Sequence, residues 1–180
     1  MSVSKKKILL VISGSVSAFK SLSIVSELTK SGHIVRCILT RGGSHFLTPL
    51  AIESLSHQPV FQDEFKAGEL YSHLDLPKWA DLILYCPASA NIISRLAQGA
   101  GSDLASLIFL ADNLKTPTIL APAMNSNMFE HPLVKKNLQV LQDLGVHIIG
   151  PEAGLLACGE CGLGRMSEPH EILEFMEEFL

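Results

Sequence analysis

The chain has 180 residues, 47% of them hydrophobic and 18% charged, which is enough apolar material for one sizeable core and too much for a disordered tail. Its 14 basic and 18 acidic residues leave a formal charge of -4, so no global basic field exists to hold a nucleic-acid backbone, and nucleic acid is not an expected partner. Mean hydropathy is +0.31, yet no apolar run approaches the roughly 20 residues that cross a bilayer. No membrane partner is expected, and the surplus apolar surface belongs in a core or a subunit interface.

In chain order, Lys5–Lys7 before Ile8–Ile12 looks like the head of an export signal, but the apolar stretch is too short and reads as the first buried strand. The four cysteines, Cys37, Cys86, Cys158 and Cys161, are too few and too unevenly placed for a disulfide scaffold, which points to a reducing, cytoplasmic setting. A helix is expected over Ala18–Thr29, with Ala18, Leu22, Val25 and Leu28 on one stripe and a stop at Gly32. Short apolar runs recur at Ile34–Leu39, Leu82–Cys86, Thr118–Ala121 and Val146–Ile149, each the pattern of a parallel strand covered on both faces. A second periodic helix covers Leu133–Leu144. Pro49, Pro132 and Pro169 mark first turns, the last opening a helix over Pro169–Leu180. No repeat, linker or low-complexity tract divides the sequence, so residues 1–180 are expected to form a single domain. The alternation predicts an α/β fold: an open parallel sheet, flavodoxin-like or Rossmann-like, with helices on both faces and a ligand beyond the carboxyl ends of its strands.

The first strand runs into Ser13-Gly14-Ser15-Val16-Ser17-Ala18-Phe19-Lys20, whose small residues let backbone N–H groups approach an anion at a helix N-terminus. A phosphate-bearing cofactor fits this turn, although an ordinary tight turn would look the same. The absence of both G-x-G-x-x-G and the Walker A lysine argues against a dinucleotide or a nucleoside triphosphate. Thr40, Pro87-Ala88-Ser89-Ala90-Asn91 and Pro122-Ala123-Met124-Asn125 also follow strands, and in a parallel sheet all would meet at one edge. Ala157-Cys158-Gly159-Glu160-Cys161 contains one C-x-x-C, without the second pair of a structural zinc site and without the βαβ start of a thioredoxin. Its flanking glycines suggest a mobile flap presenting a thiol. His73, ahead of Lys78-Trp79-Ala80-Asp81, is not distinguished by spacing from His45, His57 or His147.

Taken together, Gly14–Lys20, His73, Pro87–Asn91, Pro122–Met128, Ala157-Cys158-Gly159 and Gly164-Arg165-Met166 resemble the flavin-dependent cysteine decarboxylases, specifically the branch acting on 4'-phospho-N-pantothenoylcysteine in coenzyme A synthesis. The resemblance runs from about Lys7 to Pro169. It implies FMN at the subunit contacts of a homotrimer that can assemble further into a dodecamer. By position, Gly14, Ser15, Val16, Ser17, Thr40, Ser89, Ala90 and Asn91 would hold FMN, with Ala123 near its ring. His73 would be the active-site histidine, Asn125 the grip on the substrate carboxylate, Cys158 the proton donor, and Met128 and Lys78 further substrate contacts. No metal is implied. Bacterial relatives often continue into a domain that ligates cysteine to phosphopantothenate, so a separate ligase is the expected partner. The implied chemistry oxidises the substrate CH2–SH to a thioaldehyde, loses carbon dioxide to give an enethiolate, and returns the electrons to give 4'-phosphopantetheine. The alternatives are a decarboxylase of peptides ending in cysteine, a flavin prenyltransferase, and a non-catalytic phosphatase-regulating relative.

Overall fold

The computed structural model describes residues 5–62, 71–155, 159 and 161–180. Its first half runs β1 (Lys7–Ile12), α1 (Ala18–Lys30), β2 (Ile34–Leu39), a 3₁₀ turn at Gly43–His45, α2 (Pro49–Ser56), β3 (Val60–Gln62), α3 (Ser72–Trp79) and β4 (Leu82–Ala88). The second half runs α4 (Ala90–Gln98), α5 (Leu104–Asp112), β5 (Thr118–Pro122), α6 (Ser126–Glu130), α7 (Pro132–Asp143), β6 (His147–Ile148), β7 (Glu152–Leu155), β8 (Cys161–Arg165) and α8 (Pro169–Met176).

Six strands form one sheet in the order β3-β2-β1-β4-β5-β6, every pairing parallel. This is a doubly wound sheet whose order reverses at β1 and β4, the place where such folds open a ligand crevice. β1 lies at the centre, and Ile8 to Ile12 are fully buried because both faces are covered. Ile8, Leu10 and Ile12 pack with residues of α1, α2 and α8; Leu9 and Val11 pack with residues of α3, α4, α5 and α7. Each such side chain contributes about 1.5–3 kcal/mol by leaving water. Among the described residues no helix is long and apolar enough to cross a membrane.

Local chemistry sets the helix starts. Thr48 accepts the Ala51 N–H ahead of Pro49, His131 accepts the Leu133 N–H ahead of Pro132, and Asp103 with Ser106 forms a reciprocal capping box on α5. Several elements depart from the sequence reading, among them β3, the β7–β8 pair and α8. β3 has only three residues, two of them half-exposed, so no apolar run marks it. Of the segment read as a glycine-flanked flap, Ala157, Cys158 and Glu160 lie outside the described residues, and Cys161–Arg165 forms β8, antiparallel to β7, with exposed and glycine positions that leave no strand signature. The last helix stops at Met176 and tightens into a 3₁₀ turn over Glu177–Phe179.

Candidate functional site

The loops after β1, β2, β4 and β5 meet at the carboxyl edge of the sheet, and hydrogen bonds between strand ends hold them there. The Ser13 hydroxyl donates to the Pro87 carbonyl at 2.7 Å and accepts the Ser89 N–H at 2.9 Å, joining the turns after β1 and β4. The Thr40 hydroxyl donates to the Ile12 carbonyl at 3.1 Å and accepts the Gly43 N–H at 3.1 Å, joining β1 to β2. Where these turns touch, a Cβ on Gly14 would sit 2.9 Å from the Gly42 carbonyl carbon, so the two backbones pack directly.

Between the turns lies a cleft with two lobes that share Gly14, Ser89, Ala90 and Met128. The first, about 560 Å³, is largely apolar, walled by Val16, Phe19, Ala123, Met124 and Leu155, with Lys20, Asn125, Arg165 and Glu168 at its polar side. The second, about 550 Å³, is polar and contains Thr40, Arg41, His45, Asn91, Arg95 and Asp103. It opens at the start of α4, where the first N–H groups lack intrahelical carbonyls and Ser89 makes no side-chain cap, the arrangement that attracts a phosphate. Arg95 is ion-paired to Asp103, which tempers the lobe's positive charge.

Asn125 caps α6: its Oδ1 accepts the Asn127 N–H at 2.9 Å, which makes Nδ2 the donor end of an amide on the cleft wall. Opposite, Lys20 donates to Glu168 at 2.9 Å and to the Met166 carbonyl at 3.1 Å, and Arg165 reaches the same Glu168 oxygen at 3.0 Å. The hydrogen bond from Lys20 holds the Glu168 carboxyl below its ordinary range, with the Lys20 charge adding to the effect. The cleft therefore offers an apolar slot, an anion-attracting end, an amide on its wall and a charged rim with one cation in excess.

Gly14, Ser15, Val16, Ser17, Ser89, Ala90, Ala123, Asn125 and Met128 line the first lobe, and Thr40 and Asn91 the second, so the structure brings these expected residues together. The Thr40 hydroxyl is already engaged by backbone, as is that of Ser15, which accepts the Ser17 N–H at 3.3 Å. His73 and Lys78 lie on α3, whose residue Leu76 packs in the opposite layer from α1, and neither lines the cleft within one chain. Cys158 lies outside the described residues. Lys20, Arg165 and Glu168, and in the second lobe Arg41, His45, Arg95 and Asp103, were not among the expected site residues. For Lys20, its place in the first turn of α1, directly after the small-residue loop, was an available signal; for Glu168, nothing local marks it. Among the described residues no group of three or more His, Cys, Asp or Glu side chains is placed to hold a metal ion.

Comparison with known proteins gives a consistent picture. A family model described as Flavoprotein matches residues 1–180. The chain is 37% identical to a probable phosphopantothenoylcysteine decarboxylase of Streptococcus mutans, over 97% of this chain and 99% of that one. It spans less than half the length of the bifunctional coenzyme A biosynthesis proteins it matches, 45% of the one from Haemophilus influenzae, to which it is 40% identical over 99% of its own residues. Among solved structures it superimposes on a mutant PPC decarboxylase complexed with pantothenoylaminoethenethiol, with a TM-score of 0.86, 32% identity and coverage of 98% of both chains. It also superimposes on the FMN binding protein AtHal3, with a TM-score of 0.83 and 32% identity over 98% of this chain and 97% of that one.

Proposed function

The chain belongs to the Flavoprotein family, and from that premise we propose that it binds FMN in the two-lobed cleft and decarboxylates 4'-phospho-N-pantothenoylcysteine to 4'-phosphopantetheine. The observation that carries this reading is the cleft itself, an apolar slot beside the Asn125 amide that continues into a polar lobe at the head of α4. A flat ring suits the slot formed by Val16, Ala123 and Met124, and a phosphate suits the N–H groups of Ala90 and Asn91. The full-length similarity to the Streptococcus mutans relative favours the same substrate.

A carboxylate leaves as carbon dioxide only when its electron pair has a sink. A bound flavin supplies a reversible two-electron acceptor, under which the substrate CH2–SH becomes C=S, a sink placed β to the carboxylate. Asn125 holds the carboxylate through its amide hydrogens without a full positive charge, which would stabilise the ground state and oppose departure. The apolar walls keep water from the reacting carbons. Cys158 donates the final proton, a role whose geometry lies outside the described residues.

His73 lies outside the cleft of its own chain, and Val16, Phe19, Met128 and Leu155 at the cleft are half-exposed or more. Both facts favour a homo-oligomer, proposed as the homotrimer, single or assembled into a dodecamer, that the family resemblance implies, in which His73 and Lys78 of one copy complete the cleft of the next and His73 assists proton transfer. The proposed partner is the ligase that joins cysteine to phosphopantothenate. The proposed location is the cytoplasm, where a thiol substrate stays reduced.

The test is to load the purified protein with FMN, add phosphopantothenoylcysteine, and follow carbon dioxide and product mass. Equimolar carbon dioxide and phosphopantetheine are expected. Protein that binds FMN yet releases no carbon dioxide from this substrate overturns the reading, and turnover of a peptide ending in cysteine instead would reassign it.

A further inference from the structure

α6, which Asn125 caps, has five residues, none of them fully buried, and Phe129 alone of these packs against the core. A second hold comes from β8. The Met124 N–H donates to the Gly164 carbonyl at 3.0 Å, and a Cβ on Gly164 would lie 2.2 Å from the Met124 carbonyl oxygen. Gly164 also has φ +151°, in the region that favours glycine. Two residues earlier, a Cβ on Gly162 would lie 2.2 Å from Ser126 Oγ and 3.0 Å from Ser126 Cβ. β8 therefore lies against the backbone of Met124 and Asn125 and against the side chain of Ser126. Beyond β8 the chain is fastened in turn: Met166 is fully buried, its carbonyl accepts from Lys20, and Lys20 is ion-paired to Glu168.

We infer that Gly164, with Gly162, is a positioning residue for Asn125: the absence of side chains lets β8 lie flat against the 124–126 loop as a strut between α1 and the substrate-binding amide. The inference rests on the proposed role of Asn125 toward the substrate carboxylate. A side chain at 164 meets backbone oxygen, which no rotamer can relieve. At 162 it meets a serine, which a second substitution can remove. Gly164 lines the apolar lobe beside Met124, whereas neither glycine lines the polar lobe, so breaking the strut acts on the amide and the ring slot and leaves the phosphate end in place.

The experiment compares wild-type, Gly164→Ala, Gly162→Ala and the double variant Gly162→Ala with Ser126→Gly, all loaded with FMN. With FMN held at saturating concentration, Gly164→Ala is expected to lower kcat/KM about tenfold or more, carried mainly by KM. Its Met124 amide should exchange with deuterium faster than in wild-type, a readout independent of turnover. Gly162→Ala is expected to lose a smaller amount that Ser126→Gly restores. Wild-type KM and wild-type Met124 exchange in Gly164→Ala overturn the inference. Should Gly164→Ala fail to fold or to hold flavin, the other pair decides: rescue supports the inference, and an unaffected or unrescued Gly162→Ala overturns it. A wild-type protein without turnover overturns the decarboxylase reading instead, and the Met124 exchange rates still decide whether the strut exists.

Discussion

Ser13 and Pro87 are 74 positions apart in the sequence, and the Ser13 hydroxyl joins them by donating to the Pro87 carbonyl at 2.7 Å. Because the same oxygen accepts the Ser89 N–H, the turn that faces the apolar slot and the turn that starts α4 form one unit.

Replacing Ser13 by Ala leaves the part-buried Ser89 N–H without this acceptor and takes one donor from the buried Pro87 carbonyl. The expected cost is about 1–3 kcal/mol of stability, read as a lower urea midpoint with unchanged slope. FMN affinity should fall in parallel, measured by titrating apoprotein and following flavin fluorescence. Unchanged values of both would show that the two turns hold without the hydroxyl.

Glu168 gives a pH signature. Its carboxyl is held below its ordinary range by the Lys20 hydrogen bond, so the stabilisation is fully present above the unfolded carboxyl's pKa and is lost as pH falls through the depressed folded value. Wild-type should therefore exceed Glu168→Gln in urea midpoint at neutral pH, with the gap closing in acid. A gap that persists or widens in acid contradicts this account.

Burial pushes the thiols of Cys37 and Cys86 up to about 12, whereas Cys161 on β8 is exposed. Iodoacetamide at mildly alkaline pH should alkylate Cys161 in the native protein and spare Cys37 and Cys86 until denaturant is added, because thiolate is the reactive form. Peptide mass spectrometry reads each site. Native labelling of Cys37 or Cys86 at the rate of Cys161 would mean that the sheet opens far more readily than its packing indicates.

Asn125→Asp tests the site without disturbing the fold, since Asp caps a helix as well as Asn does. It sets a second carboxylate against that of the substrate, so turnover should fall by about 100-fold or more while FMN stays bound. Mixing Asn125→Asp with His73→Asn before assembly should recover part of the wild-type rate, because hybrid oligomers regain some cleft with both side chains intact. Mixtures no more active than their components would argue that His73 does not serve a neighbouring copy.

The repeating strands and helices were legible in the sequence because their signals are local. Ile8–Ile12 is apolar at every position since both faces of β1 are covered, and Ala18 to Leu28 shows the stripe by which α1 packs on it. Small residues after each strand marked the carboxyl edge as the site, and Asn125, Ser89 and Ala123 stand there. Tertiary structure alone decided which distant groups meet. Local pattern reports how deeply a residue is buried, whereas strand order and the docking of β8 determine its neighbours. Lys20 therefore found Glu168 across 148 positions, Thr40 spent its hydroxyl on Ile12, and His73 came to lie outside the cleft that Asn125 lines. β7–β8 left no pattern to read, because exposed strands rich in glycine are held by their ladder and by contact with Met124, and neither leaves a periodic trace in composition.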